Sequence, residues 1–174
     1  MTHFLSALFT PRSVAIIGAS SDPEKLGGRP VAHNISFGFT RDLYPVNPGA
    51  REVQGLQAYA SLDAIERDID CAIVAVPAAA VEASLDACAK KGVKVAIVFA
   101  SGFAEVSAEG ARKQREMAEK ARARGLRLIG PNAMGAMSLA PRFSATFSSI
   151  HKHHGGNGWP KPDRKSTRLN SSHT

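Results

Sequence analysis

The chain has 174 residues, enough for one domain with a sizeable core, or one domain and a fragment. Hydrophobic residues make up 44 % and aromatics 6 %, which fits a soluble globular protein and leaves few rings on which bases could stack. The net charge of +7 is unevenly placed: +4 falls from His151 onward, leaving +3 over residues mixed with acids, so the composition argues against nucleic acid as a partner.

Met1 to Phe9 is too short and too lightly charged for a signal peptide, and no apolar run reaches membrane-spanning length. The expectation is a cytoplasmic protein with no membrane partner. Cys71 and Cys88 lack CxxC spacing and sit in apolar contexts, so both are expected as buried thiols.

In chain order, Ser13 to Ile17 reads as the first strand, closed by Gly18. A ten-residue Gly/Ser/Pro-rich loop, Ala19 to Gly28, precedes a short helix from Arg29 with Pro30 in its first turn. Asp42 to Val46 is strand two, stopped by Asn47-Pro48-Gly49. Ser61 is expected to cap a short helix through Glu66. Asp70 to Val76 is strand three, apolar throughout as a strand covered on both faces should be. Ala80 to Lys91 is helical, with Val81, Leu85 and Cys88 on one face and Gly92 as C-terminal cap. Val93 to Phe99 is strand four, a polar helix capped by Ser107 runs to Arg124, and Leu126 to Ile129 is strand five.

Strands alternating with helices in this way imply right-handed crossovers and a doubly wound parallel α/β sheet in a single domain. Ligands of such sheets bind beyond the carboxyl ends of the strands. All five ends here, at Gly18, Val46 to Pro48, Val76-Pro77, Ala100 to Phe103 and Gly130 to Asn132, carry Gly, Pro, Ser or Asn. That coincidence points to a cofactor crevice.

The first loop is not GxGxxG, yet its amides and the following helix start could hold a diphosphate. An NAD site would want an acid at the end of strand two; Asn47 and Pro48 stand there, and Arg51 beyond them is either a phosphate contact or a solvated turn residue. Asn132 is placed either to bridge ligand and backbone or to form an Asx-turn. Glu105 binds cofactor, orients a neighbouring domain or faces water. His33 is expected to pack or face solvent. No catalytic triad, carboxylate pair or metal cluster is evident, and His151, His153 and His154 carry little weight as ligands.

From His151 onward periodicity is lost, and Asp163 to His173 resembles the in-frame translation of a short-read sequencing adapter. Residues 149–174 are therefore expected to be a disordered, non-native tail on a domain spanning residues 1–148.

Five motifs in order, Ile17-Gly18-Ala19-Ser20 with Lys25-Leu26-Gly27, Tyr44-Pro45-Val46-Asn47-Pro48, Ala75-Val76-Pro77-Ala78, Ser101-Gly102-Phe103-Ala104-Glu105 and Leu128 to Gly135, resemble the N-terminal CoA-binding domain of NDP-forming acyl-CoA synthetases. That family includes ADP-forming acetate–CoA ligases, acyltransferase-fused relatives and the α subunit of succinyl-CoA synthetase. The resemblance implies a Rossmann-like fold and coenzyme A as cofactor. It assigns the CoA phosphates to the loop of Gly18, Ala19, Ser20, Lys25 and Gly27, and the adenosine 3′-phosphate to Asn47, Pro48 and Arg51. Val76 and Pro77 would pack on the nucleotide half, with Ser101, Gly102, Phe103, Pro131 and Asn132 along the pantetheine. Two positions depart from the family pattern: Gly49 stands where Lys or Arg is usual, and Ala133 where Cys is usual.

The resemblance further implies a parent ligase that interconverts acyl-CoA, phosphate and ADP with acid, CoA and ATP. Its phosphohistidine domain and ATP-grasp domain, in cis or as a subunit, would hold ATP, ADP and Mg2+. This stretch would bind CoA or acyl-CoA without turning it over. A stand-alone CoA-binding or NAD-sensing regulatory module, and an acyltransferase-fused parent, are the other readings.

Overall fold

The computed structural model describes residues 4–148. The chain opens with α1 (Phe4–Phe9), β1 (Ser13–Ile17), α2 (Arg29–Phe37) and β2 (Asp42–Val46). A small hairpin of β3 (Glu52–Val53) and β4 (Leu56–Gln57) and a single 3-10 turn (Leu62–Ala64) lead into β5 (Cys71–Val74). Then follow α3 (Ala78–Lys91), β6 (Val95–Val98), α4 (Ala108–Ala123) and β7 (Arg127–Ile129), and a second hairpin of β8 (Gly135–Ser138) and β9 (Phe143–Thr146).

Five strands pair in the order β2-β1-β5-β6-β7, all parallel, with β1 in register against both β2 and β5. With the hairpins set aside, this is the 2-1-3-4-5 order of doubly wound sheets. The expected fold class holds.

Alternation along each central strand sends side chains to two cores. Ala15, Ala72, Val74, Ala96 and Val98 meet Val81, Leu85 and Cys88 of α3 and Met117 and Ala121 of α4. Val14, Ile16, Cys71, Ile73, Val95 and Ile97 meet Ala7 and Leu8 of α1, Val31 of α2, and Phe143 and Ala145 of β9. Val14, Ile16, Ile73 and Ile97 are wholly buried, and each such side chain stabilises the fold by about 1.5–3 kcal/mol. Cys71 and Cys88 lie in opposite cores as free thiols, and burial pushes both up, Cys88 to about 12.

Local departures from expectation have simple causes. Val76 leaves the ladder because Pro77, with φ −57°, is already the N-cap of α3, which starts at Ala78 rather than Ala80. Ser61 is extended and its hydroxyl makes no cap bond; only one 3-10 turn forms behind it. Ser107 does cap α4, accepting from the Gly110 N–H at 3.0 Å. The residues from His151 onward, with their three clustered histidines, and the expected foreign tail lie outside the described residues.

Candidate functional site

β1 is the switch point of the sheet: β2 lies on one side and β5 on the other, so the loop leaving β1 overhangs the junction of three strand ends. Gly18 has φ +82°, and a Cβ there would stand 2.6 Å from the Ala75 carbonyl oxygen, so only glycine lets the loop cross β5 so closely. The N–H groups of Gly18 and Ala19 both donate to Val46 O, at 3.0 and 3.2 Å. These two amides bind the loop to β2. A Cβ on buried Gly27 would lie 1.9 Å from Gly18 O, so the two ends of the loop are in backbone contact.

Two amide side chains pin the loop. Asn47 Nδ2 donates to Ala19 O at 2.8 Å, while its Oδ1 accepts the Gly49 N–H at 2.8 Å. Gln54, at the tip of the β3–β4 hairpin, donates Nε2 to Ser20 O at 2.8 Å and to Gly28 O at 3.0 Å. The N–H groups of Ser20 and Ser21 meet no acceptor among the described residues. The side chains of Lys25 and Arg51 are exposed, and neither has an ion-pair partner there. The loop thus offers two free donors, the Ser20 and Ser21 N–H groups, and the charge of Lys25, whereas at the start of α2 the Gly28 and Arg29 N–H groups already donate to Lys25 O and Pro30 has none.

Beside it opens a cleft of about 320 Å³, walled by Leu26, by Ala75 to Ala78 after β5, and by Phe99 to Ser101 after β6. This joins the loop to Val76, Pro77 and Ser101 in one mostly apolar trough, of the size and character of small-molecule sites. Gly102 and Phe103 do not line it. Their N–H groups donate to the two Glu105 carboxylate oxygens, at 2.5 and 3.2 Å, and these hydrogen bonds hold that carboxyl below the usual range. The Phe103 ring is buried in the α3–α4 core. Glu105 therefore builds the turn.

After β7, Asn132 takes φ +56° and its N–H donates to Ala100 O at 2.8 Å; the Ala133 N–H donates to Val98 O at 3.2 Å. Pro131 and Asn132 are thereby tied to the β6 exit, with the Asn132 side chain exposed and making no Asx-turn.

A larger depression, about 450 Å³, lies between α3 and α4, but its charges are matched internally. Arg112 pairs with Glu116, Lys113 with Glu109, and Lys120 with Glu82 and Asp86, all within 3.2 Å. No switch point and no unpaired cation among the described residues recommends it for a phosphate ligand.

Gln54 is the residue that sequence reasoning missed. Its signal was Gln54-Gly55, both at positive φ, between Val53 and Leu56, which is a two-residue hairpin turn. Also unforeseen was the cover supplied by β9. His33 Nδ1 lies 3.1 Å from Thr146 O, and Asn34 bonds both Ser144 O and the Ser144 N–H. Arg29 donates to Phe147 O at 3.2 Å, and the Phe147 ring meets Phe99 edge-on at 5.0 Å. His33 is a packing residue.

A family model described as a CoA binding domain matches residues 12–138. The chain belongs to that family. It is homologous to the α subunits of NDP-forming acetate and acyl-CoA ligases. The acetate–CoA ligase (ADP-forming) II subunit alpha of Pyrococcus furiosus is 41 % identical over 148 residues, covering 85 % of this chain and 32 % of that protein. The 4-hydroxybutyrate–CoA ligase (ADP-forming) of Nitrosopumilus maritimus is 32 % identical over 147 residues, covering 83 % and 21 %. A solved dinucleotide-forming acetyl-coenzyme A synthetase from Ca. Korarchaeum cryptofilum, in complex with phosphate and ADP, superposes with a TM-score of 0.78. It is 38 % identical, over 82 % of this chain and 30 % of that chain. This domain thus spans about a third or less of the length of these relatives. Among its described residues, no helix is long and apolar enough to cross a membrane.

Proposed function

We propose that the carboxyl-edge cleft binds coenzyme A as a surface module of an ADP-forming acid–CoA ligase. The observation that carries this is the juxtaposition at the β1 switch point of a pinned loop with free amides, the unpaired Lys25 and an apolar trough. The Gly18–Gly28 loop takes the diphosphate through the Ser20 and Ser21 amides, with Lys25 adding charge, while Ala19 and Gly27 shape the backbone. Asn47 and Pro48 set the course of the segment that carries Arg51 to the 3′-phosphate. Val76 and Pro77 support the nucleotide half, and the pantetheine runs past Ser101 toward Pro131 and Asn132. Gly102 and Phe103 serve by forming the turn.

NAD is the weaker reading, because the β2 end presents Asn47, whose amide is already bonded to Ala19 O, where a ribose-binding carboxylate would stand. In the parent, phosphoryl transfer through a phosphohistidine and exchange with ADP and Mg2+ would take place on other domains, in cis or on a partner subunit. The acyl group would be chosen there too: the relatives named above differ in acyl substrate while sharing this domain. Calorimetric titration of the 174-residue chain with CoA and NAD tests the proposal. Saturable CoA binding with NAD at least about tenfold weaker, a difference of about 1.4 kcal/mol, is expected; preference for NAD would overturn it.

A further inference from the structure

Gln54 lies on a different element from the loop it touches, and its backbone adopts φ +52°, a conformation uncommon for a residue with a side chain. The two-residue turn between β3 and β4 requires that conformation. The hairpin that carries Gln54 is anchored by Val53, wholly buried in the second core. From there Nε2 reaches Ser20 O and Gly28 O, which belong to opposite ends of the loop.

A trans peptide is planar, and its C=O and N–H point in opposite directions. The Ser20–Ser21 peptide is trans. Fixing Ser20 O on Gln54 therefore fixes the Ser21 N–H pointing away from the hairpin, and that N–H has no acceptor among the described residues. Asn47 acts in the same way one residue earlier: it holds Ala19 O and leaves the Ser20 N–H free. Two successive peptide planes are thus oriented by two side-chain amides from outside the loop, and each presents an unused donor.

We infer that Gln54 is a positioning residue for anion binding, orienting the Ser21 N–H as a donor to a phosphate oxygen of the ligand. The inference rests on the CoA reading above. Orientation in advance matters because a donor already held in place loses little freedom when the ligand arrives. The Gln54 side chain itself faces two carbonyls and does not touch the ligand.

The test uses two variants of the full chain. Gln54→Glu keeps the shape but cannot donate, and Gln54→Gly removes the side chain while relieving the positive φ. Backbone order parameters of Ser20 and Ser21 are measured without ligand, and CoA affinity by calorimetry. Expected is a fall of the Ser21 order parameter from about 0.85 toward 0.6 in both variants, with CoA weakened at least about fivefold. The melting temperature of Gln54→Gly should stay close to that of the wild type. An unchanged order parameter would overturn the clamp. A lowered order parameter with CoA affinity within about twofold of wild type would overturn the donor role. Failure of the wild type to bind CoA would overturn the ligand reading and this inference with it, and is recognised separately because the order parameters are read without ligand.

Discussion

Asn47 Nδ2 and Ala19 O are 2.8 Å apart, a side chain at the end of β2 holding the backbone that leaves β1. This contact makes two adjacent strand ends into one support for the loop. The same amide's oxygen accepts the Gly49 N–H, so both halves of Asn47 are engaged and its orientation is fixed.

Asn47→Asp separates the two roles. The carboxylate can still accept from Gly49 but offers no donor to Ala19 O, and it brings negative charge to the phosphate side of the cleft. Stability should fall by about 1 kcal/mol in urea denaturation, with CoA binding weakened at least about tenfold. Asn47→Ala should cost similar stability and less affinity, since it adds no charge.

Gly27→Ala tests the contact between the loop ends. A Cβ 1.9 Å from Gly18 O cannot be accommodated without moving backbone, so a loss of about 1–3 kcal/mol is expected from denaturant unfolding. A loss below about 0.5 kcal/mol would show that the loop end yields freely.

Gly49 is the natural site for a gain. Its backbone φ is not positive, and an added Cβ would meet only Asn47 Oδ1, at 3.4 Å. Gly49→Lys, which adds a cation on the segment proposed to face the 3′-phosphate, should tighten CoA by roughly fivefold, about 1 kcal/mol. Dephospho-CoA should gain little. Equal gains for both would detach this position from the 3′-phosphate.

The sheet was legible because its strands are continuous apolar runs between turn residues, as in Ala72 to Val74 and Ala96 to Val98. The hairpins were not. β3 and β4 are two residues each, too short to show alternation, and Gln54-Gly55 is a weak turn signal beside Asn-Gly or Asp-Gly. β9 reads Phe-Ser-Ala-Thr and is buried at every position: Asn34 bonds the Ser144 C=O and N–H, Thr146 Oγ1 donates to Met134 O, and the Ser144 hydroxyl has no partner among the described residues. The strand ends marked the candidate site, but the backbone partners did not show in sequence: Gly18 and Ala19 donate to Val46 O, and Gly102 and Phe103 to Glu105.

At the opposite edge, Asp70 accepts the Arg12 N–H at 2.9 Å and Arg12 Nε at 3.2 Å. Burial opposes ionisation of Asp70, but the hydrogen bonds and charge of Arg12 prevail and hold it below the usual carboxylate range. A folded-state value below the unfolded one stabilises the fold above about pH 4, and that contribution is lost as pH falls through the folded value. Acid unfolding should therefore be less steep in Asp70→Asn. The variant should also be less stable at neutral pH by about 1–2 kcal/mol, modest because the Arg12 side chain is exposed.

The most direct test of the cofactor site is an amide chemical-shift map of the 174-residue chain titrated with CoA. Saturating changes are predicted at Ser20, Ser21 and the start of α2, at Ala75 to Ala78 and at Phe99 to Ser101. The α3–α4 depression around Arg112 and Glu116 should stay silent. Saturable shifts centred on that depression, with the Gly18–Gly28 loop unmoved, would contradict the account.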